Sequence, residues 1–360
     1  MRWFSVRTGM YIRIQGTQTR SGYCGTHIHL SLIHILRMQR MMVTLILAFV
    51  LAAVLGKFML PVLHRLKFGQ NIYELAPEAH KKKQGTPTMG GLVFAAAAIA
   101  ASLLMNDYSV PLWQNMLLAM LLMALGNLCI GFADDMTKIR RGKNGGLTPK
   151  QKMFFQTLLA LAFSCYCYFH PQVGSAIQVP FLRVEWDLGI LYIPIMMFII
   201  VGTTNSANLL DGLDGLLSSV SAVDFAALAV LCGAASLGSL GIGCAAMCGA
   251  LMGFLSRNCY PAQMFMGDTG SMFIGGAVVA AAMLLRQPLI LVLIAFWMLM
   301  SSLSDIIQIA YFKKTHGKRI FKMAPIHHHF ELSGIHEAKI VTMYTVTTVI
   351  LCVITLLGIL

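Results

Sequence analysis

Charge is what this sequence has least of. Asp, Glu, Lys and Arg together make only 11% of its 360 residues, where soluble domains carry about a quarter. That excludes an ordinary water-soluble enzyme, and the 57% hydrophobic content excludes a disordered chain. Acids are scarcer still, 14 against 27 Lys and Arg, for a formal charge of +13. Also missing is any cysteine framework. Seven of the nine cysteines (Cys129, Cys165, Cys167, Cys232, Cys244, Cys248, Cys352) fall inside apolar runs, where Cys behaves as a small apolar residue. No spacing among them suits a zinc site.

What is present is a series of uncharged stretches. Residues 84–106, 108–133, 153–182, 188–210 and 225–256 contain no Asp, Glu, Lys or Arg. A bilayer core takes about 20 apolar residues per helix, and the last run is split by a turn at Leu237 to Gly241. The patterning predicts about ten transmembrane helices, near 41–63, 88–105, 112–133, 153–169, 188–204, 214–233, 239–256, 269–285, 288–312 and 340–360. This is an all-α polytopic membrane fold. Between the fourth and fifth helices, Pro, Gly and alternating Ile177, Val179 and Phe181 predict a small external β-hairpin.

Ten spans put both termini on one side. Loops 64–87, 134–152, 205–213, 257–268 and 313–339 hold 18 basic residues, and the opposite loops hold two, Arg183 and Arg286. Cytoplasmic loops collect Lys and Arg, so the basic loops are read as cytoplasmic and both termini as external. The charge excess then reports topology, and a nucleic-acid partner is not expected. Residues 1–40 run against this pattern with six Arg and no acid. Residues 1–37 are therefore read as a non-native or disordered leader, and 38–360 as the integral membrane domain.

Nine acids lie on the cytoplasmic side. Five of them are Asp in three short segments at helix ends: Asp134 and Asp135, Asp211 and Asp214 within Asn208 to Gly215, and Asp268 within Met266 to Ser271. One Asp beside Gly at a membrane edge is accounted for as a cap or turn. Three such segments on one face suggest phosphate chemistry with a hard cation, since Mg²⁺ takes oxygen ligands from carboxylates and substrate phosphates. Lys81, Lys82, Lys83, Lys138 and Lys150 would offset the repulsion between carboxylates and a polyphosphate, although basic residues are expected in such loops anyway. The triplet His327, His328 and His329 suits phosphate contact or proton transfer better than metal binding, because adjacent residues do not share a face. Asp224 and Asp305 fall inside spans and receive no catalytic role.

In order along the chain, Gly85-Thr86-Pro87-Thr88-Met89-Gly90-Gly91, Phe132-Ala133-Asp134-Asp135, Asn208 to Gly215, Phe265 to Ser271 and Pro325 to Phe330 resemble the motifs of phospho-N-acetylmuramoyl-pentapeptide transferases. The resemblance spans about 41–360. It implies a bacterial inner-membrane enzyme with its active-site cleft on the cytoplasmic face. Such an enzyme moves phospho-MurNAc-pentapeptide from UDP-MurNAc-pentapeptide to undecaprenyl phosphate, with Mg²⁺, giving lipid I and UMP in peptidoglycan synthesis. It also implies a homodimer in contact with membrane lipid. Position by position it makes Asp268 the Mg²⁺ ligand and Asp134, Asp135 and His327 further catalytic residues. Asn205, Asn208, Asp211, Gly212, Leu213, Asp214 and Phe265 would line the nucleotide pocket, with Lys83, Thr88, Lys138, Lys150, Asn258, His328 and His329 completing the polar cleft.

Two routes stay open at this level. The acceptor phosphate attacks the β-phosphorus directly, or an Asp attacks first as a covalent nucleophile; direct attack is favoured because both substrates can meet at a membrane-surface cleft and Mg²⁺ can serve the displacement. Two other functions are weighed. A polyprenyl-phosphate GlcNAc-1-phosphate transferase would share the Asp segments, but the His triplet segment favours the muramoyl-pentapeptide donor. A lipid flippase or transporter would place its polar groups near the bilayer midplane, whereas these acids gather at one interface.

Overall fold

A computed structural model describes residues 22–65, 85–141, 145–182 and 184–360. Lys81, Lys82 and Lys83, and the expected leader as far as residue 21, lie outside them. The chain is an all-α polytopic membrane protein. Its helices are α1 (Gly22–Arg65), α2 (Gly91–Met105), α3 (Met116–Arg141), α4 (Pro149–Phe169), α5 (Tyr192–Leu210), α6 (Leu216–Ala234), α7 (Gly238–Asn258), α8 (Gly267–Leu284), α9 (Leu291–Ile294), α10 (Phe296–Lys314), α11 (Ile326–Glu331) and α12 (Glu337–Ile359).

Eight of these helices are long and apolar enough to cross a bilayer. Two expected spans have a different form. The second is α2, whose 15 residues rise only about 22 Å, because Pro87 to Gly90 are spent on a turn bonded to Phe265 and Met266. The ninth is broken: α9 and α10 meet at an angle of 83°, so a continuous helix over 288–312 is not formed. At the front of the chain α1 reaches back to Gly22, so residues 22–37 are helical.

Burial orders the helices. In α8, 89% of the apolar window is inside the protein, against 22% for the first span. The bundle is therefore built around α8, with α1, α4 and α12 on the lipid side. Small residues permit this crowding, as expected where lipid offers no hydrophobic drive between helices. Gly131 of α3 lies against the backbone of Asp268, where a Cβ would collide. Gly249 and Gly253, one turn apart on α7, meet the α1 carbonyls of Leu45 and Phe49 in the same way.

The expected hairpin is present as antiparallel β1 (Ala176–Val179) and β2 (Val184–Asp187), with Ile177 opposite Trp186 and Val179 opposite Val184. It follows the far end of α4, and so lies at the end of the bundle opposite the aspartates.

Candidate active site

The site is assembled at the first turn of α8. A helix start leaves backbone N–H groups without intrahelical partners, and here a carboxylate from another helix takes them. Asp135 of α3 accepts from the Asp268 and Thr269 N–H groups at 3.2 and 2.9 Å, and from the Thr269 hydroxyl at 2.7 Å. An anion at this end also meets the positive pole of the helix dipole. Asp135 thus fixes the start of α8 and, with it, the place of Asp268.

Asp134, one residue earlier on α3, accepts from the Leu147 N–H at 2.8 Å through Oδ1. Its Oδ2 faces Lys138 Nζ at 2.6 Å, one turn along the same helix. Lys138 Nζ is also 3.1 Å from Asp268 Oδ2 and 3.7 Å from Asp135 Oδ1. Asp268 is held from two further sides, since Lys152 Nζ of α4 lies 2.9 Å from Oδ2 and the Asn208 amide of α5 donates to Oδ1 at 2.8 Å. Asn208 also donates to Ser271 Oγ at 2.8 Å, which locks its rotamer.

Asp134, Asp135 and Asp268 each offer an oxygen within 4.8 Å of the others, an arrangement that can hold a metal ion. Hard carboxylate oxygens suit a hard divalent cation. With Lys138 and Lys152 the cluster keeps one net negative charge, so a divalent cation would turn it positive towards phosphate. Asp268 and Asp134 Oδ2 are the better placed donors, because Asp135 is occupied by the start of α8.

Residues 83–94 of the chain match signature 1 of phospho-N-acetylmuramoyl-pentapeptide-transferase, and residues 117–286 match glycosyl transferase family 4. The phospho-N-acetylmuramoyl-pentapeptide-transferase of Clostridium novyi (strain NT) is 44% identical over 317 residues, which cover 88% of this chain and 96% of the relative. Those of Clostridium kluyveri (strain ATCC 8527) and Clostridium perfringens (strain SM101) are 43% identical over 88% of the chain and 98% and 95% of their own lengths. The chain belongs to the phospho-N-acetylmuramoyl-pentapeptide-transferase family. It is the family expected from the motifs.

In this family member the remaining expected residues divide into groups. Thr88 stands beside the cluster: a Cβ on Gly267 would lie 2.7 Å from its hydroxyl and 2.6 Å from Asp135 Oδ2. Asp211 ends α5, and its carboxyl is pushed well above the ordinary range by burial and by Asp268, Asp135 and Asp214. Gly212 lies flush against the buried ring of His327, where a Cβ would strike Nε2. The loop after α5 and the histidine helix α11 thus form one wall. Phe265 is half-buried, with its N–H donating to Pro87 and its carbonyl accepting from Gly90.

Other expected residues serve as ties. Asn205 exchanges amide hydrogen bonds with Gln156 of α4 at 3.1 and 3.4 Å. Asp214 accepts from the Ala262 N–H, and its own N–H donates to Glu337 of α12. Asn258 links Ser218 to the Met264 carbonyl at 2.7 and 3.0 Å, and Leu213 is buried apolar packing. His328 pairs with Glu331 at 3.1 Å, and His329 accepts from the Lys322 N–H at 3.1 Å.

Lys150 is exposed and lines a shallow apolar surface with Met153 and Phe154. Its expected place beside the aspartates belongs to Lys152. The signal is helical phase, legible once the buried face of α4 is known. Gln156, Ala160, Phe163, Ser164 and Cys167 form the buried stripe of α4, and Lys152 lies one turn before Gln156 on that stripe.

Proposed function

We propose that this chain transfers phospho-MurNAc-pentapeptide from UDP-MurNAc-pentapeptide to undecaprenyl phosphate, releasing UMP and forming lipid I. The observation that carries this reading is the cluster of Asp134, Asp135 and Asp268 with Lys138 and Lys152 at one end of the helix bundle. The family relationship supplies the substrate class. The basic loops that flank the cluster support a cytoplasmic-facing cleft in a bacterial inner membrane.

The chain's own residues set the reaction geometry. An oxygen of the acceptor phosphate attacks the β-phosphorus of the donor. That P–O bond forms as the bond from the β-phosphorus to its bridging oxygen breaks, and UMP departs with the electron pair. Asp134 takes any remaining proton from the acceptor phosphate. Lys138 and Lys152 balance the phosphate charge, and Asn208 keeps Asp268 in one orientation. His327, fixed against Gly212, lies beside the phosphates. Mg²⁺ is the proposed cation; Asp268 and Asp134 would hold it, and when bound it would supply positive charge to offset that of the phosphates. Direct attack is favoured over an aspartyl intermediate because Asp134, Asp135 and Asp268 are each already engaged by a cationic or N–H partner.

The decisive assay uses protein purified in detergent and measures UMP release. Release that needs UDP-MurNAc-pentapeptide, undecaprenyl phosphate and Mg²⁺ together supports the proposal. Turnover of UDP-GlcNAc in place of the muramoyl donor would overturn the donor assignment, and lipid movement without UMP release would make the chain a transporter. A phospho-aspartyl species trapped without acceptor would replace direct attack by the two-step route. The working unit is proposed to be a homodimer, and native mass spectrometry finding monomer alone in bilayer discs would remove that part.

A further inference from the structure

The external hairpin has two chemically different faces. Residues directly opposite on antiparallel strands project from the same face of the sheet. Ile177 and Trp186 are one such pair and Val179 and Val184 the next, so the four share a face. The other face carries Gln178 and Glu185, then Ala176 and Asp187. Polar groups on that side are engaged: Glu185 pairs with Arg286 at 3.1 Å, Gln178 accepts from the Gln287 amide at 2.9 Å, and Asp187 accepts from the Ser175 hydroxyl at 2.6 Å.

The apolar face is divided between two surroundings. Ile177 on β1 is 4% exposed and belongs to the main core, whereas Trp186, its direct partner on β2, is 53% exposed. One face therefore points into the bundle at β1 and has passed the edge of the bundle at β2. The depth of the hairpin follows from its attachments. It connects the end of the α4 span at Phe169 to the span beginning at Gly189. Its first strand is bonded to Arg286 and Gln287, just past the end of α8. Its turn residue Phe181 lies against Gly358, near the end of α12. Four span ends thus hold the hairpin along the end of the bundle. Exposed apolar side chains continue from it onto the flanking spans through Phe169, Ile190 and Leu191.

We propose that β2 is an interfacial membrane anchor, with Val184 and Trp186 seated in the boundary between headgroups and acyl chains of the leaflet at this end. The occupant of the surface is lipid. An indole suits that depth, because its ring is apolar and its N–H is polar. The polar face of the hairpin, tied to Arg286, looks away from the acyl chains, so the strand lies on the leaflet as an amphipathic ribbon.

The test places the full chain in phosphatidylcholine discs and compares it with Trp186→Phe. Subtracting the two emission spectra isolates Trp186 from Trp3, Trp113 and Trp297. The expected result is that lipids brominated near the headgroup quench this component strongly and aqueous iodide quenches it weakly. Strong iodide quenching without bromine quenching would overturn the proposal by placing Trp186 in water. Resistance to both quenchers would also overturn it, and would assign the surface to a second copy of the chain.

Discussion

The ammonium of Lys152 lies 2.9 Å from Asp268 Oδ2 and joins the start of α4 to the first turn of α8. Two residues away Lys150 is exposed. The pair separates charge held at the site from charge held at the surface. Replacing Lys152 by Met is expected to lower kcat on the order of 10²–10³-fold, the usual cost of losing one preorganised charge contact. Lys150→Met is expected to stay within about threefold of the parent, as surface substitutions do. Initial rates of UMP release for the two variants check this, and equal losses would contradict it.

The amide exchange between Gln156 and Asn205 lies one turn from Lys152 on α4 and one turn from Asn208 on α5. It holds together the two helices that grip opposite oxygens of Asp268. Either residue changed to Leu leaves the other amide half-satisfied inside the bundle, at about 1–3 kcal/mol. The double variant is expected to lose less than the sum of the single losses, with a coupling energy of about 0.5–3 kcal/mol. Denaturation of all four proteins in one detergent measures it, and strict additivity would show that the clasp carries no joint energy.

Asp211 supplies a pH dependence. Its pKa is raised in the folded protein by burial and by the facing carboxylates. The folded state then binds a proton that the unfolded chain gives up near the ordinary carboxylate value, about 3.9. Stability is therefore undiminished below that value and falls as pH rises through the window above it. Asp211→Asn removes the penalty. Its melting temperature is expected to exceed the parent's by a margin that grows as pH rises above about 4. A margin that shrinks with pH would reverse the assignment.

Chelation separates a catalytic metal from a structural one. Lys138 and Lys152 already neutralise two of the three carboxylates, so the fold does not require a cation. A chelator is expected to abolish UMP release and Mg²⁺ to restore it. Tenfold excess over Kd stabilises by only about 1.4 kcal/mol, so the melting temperature is expected to move slightly. Unfolding on chelation would make the ion part of the structure.

Much of this architecture was legible because lipid imposes simple rules. Uncharged runs located the spans, and alternating residues between Ala176 and Asp187 located the hairpin. The acids at helix ends marked the site because charge is so scarce elsewhere. Composition could not show where a span breaks. The 83° angle between α9 and α10 falls within an apolar run, where hydropathy is uniform and only packing decides direction. Nor did residue type tell Lys150 from Lys152. Helical phase separates them only once the buried stripe that begins at Gln156 is seen in the structure. Asn205 was expected in the nucleotide pocket and Asn258 in the polar cleft; the structure engages Asn205 with Gln156 of α4, and Asn258 with Ser218 of α6 and the Met264 carbonyl, partners that residue type does not reveal.

The close seam between α1 and α7 has a consequence for synthesis. Leu45 meets Gly249, and about 200 residues separate them. At a translation rate of about 5–20 residues per second, α1 waits about ten to forty seconds in the bilayer before α7 arrives. A seam left open for so long must be tolerable to lipid on the side that α7 will later hide. The seam on α1 meets that condition because what α7 touches there is backbone carbonyl, already bonded within its own helix. The glycines that make the contact are on the partner that comes late.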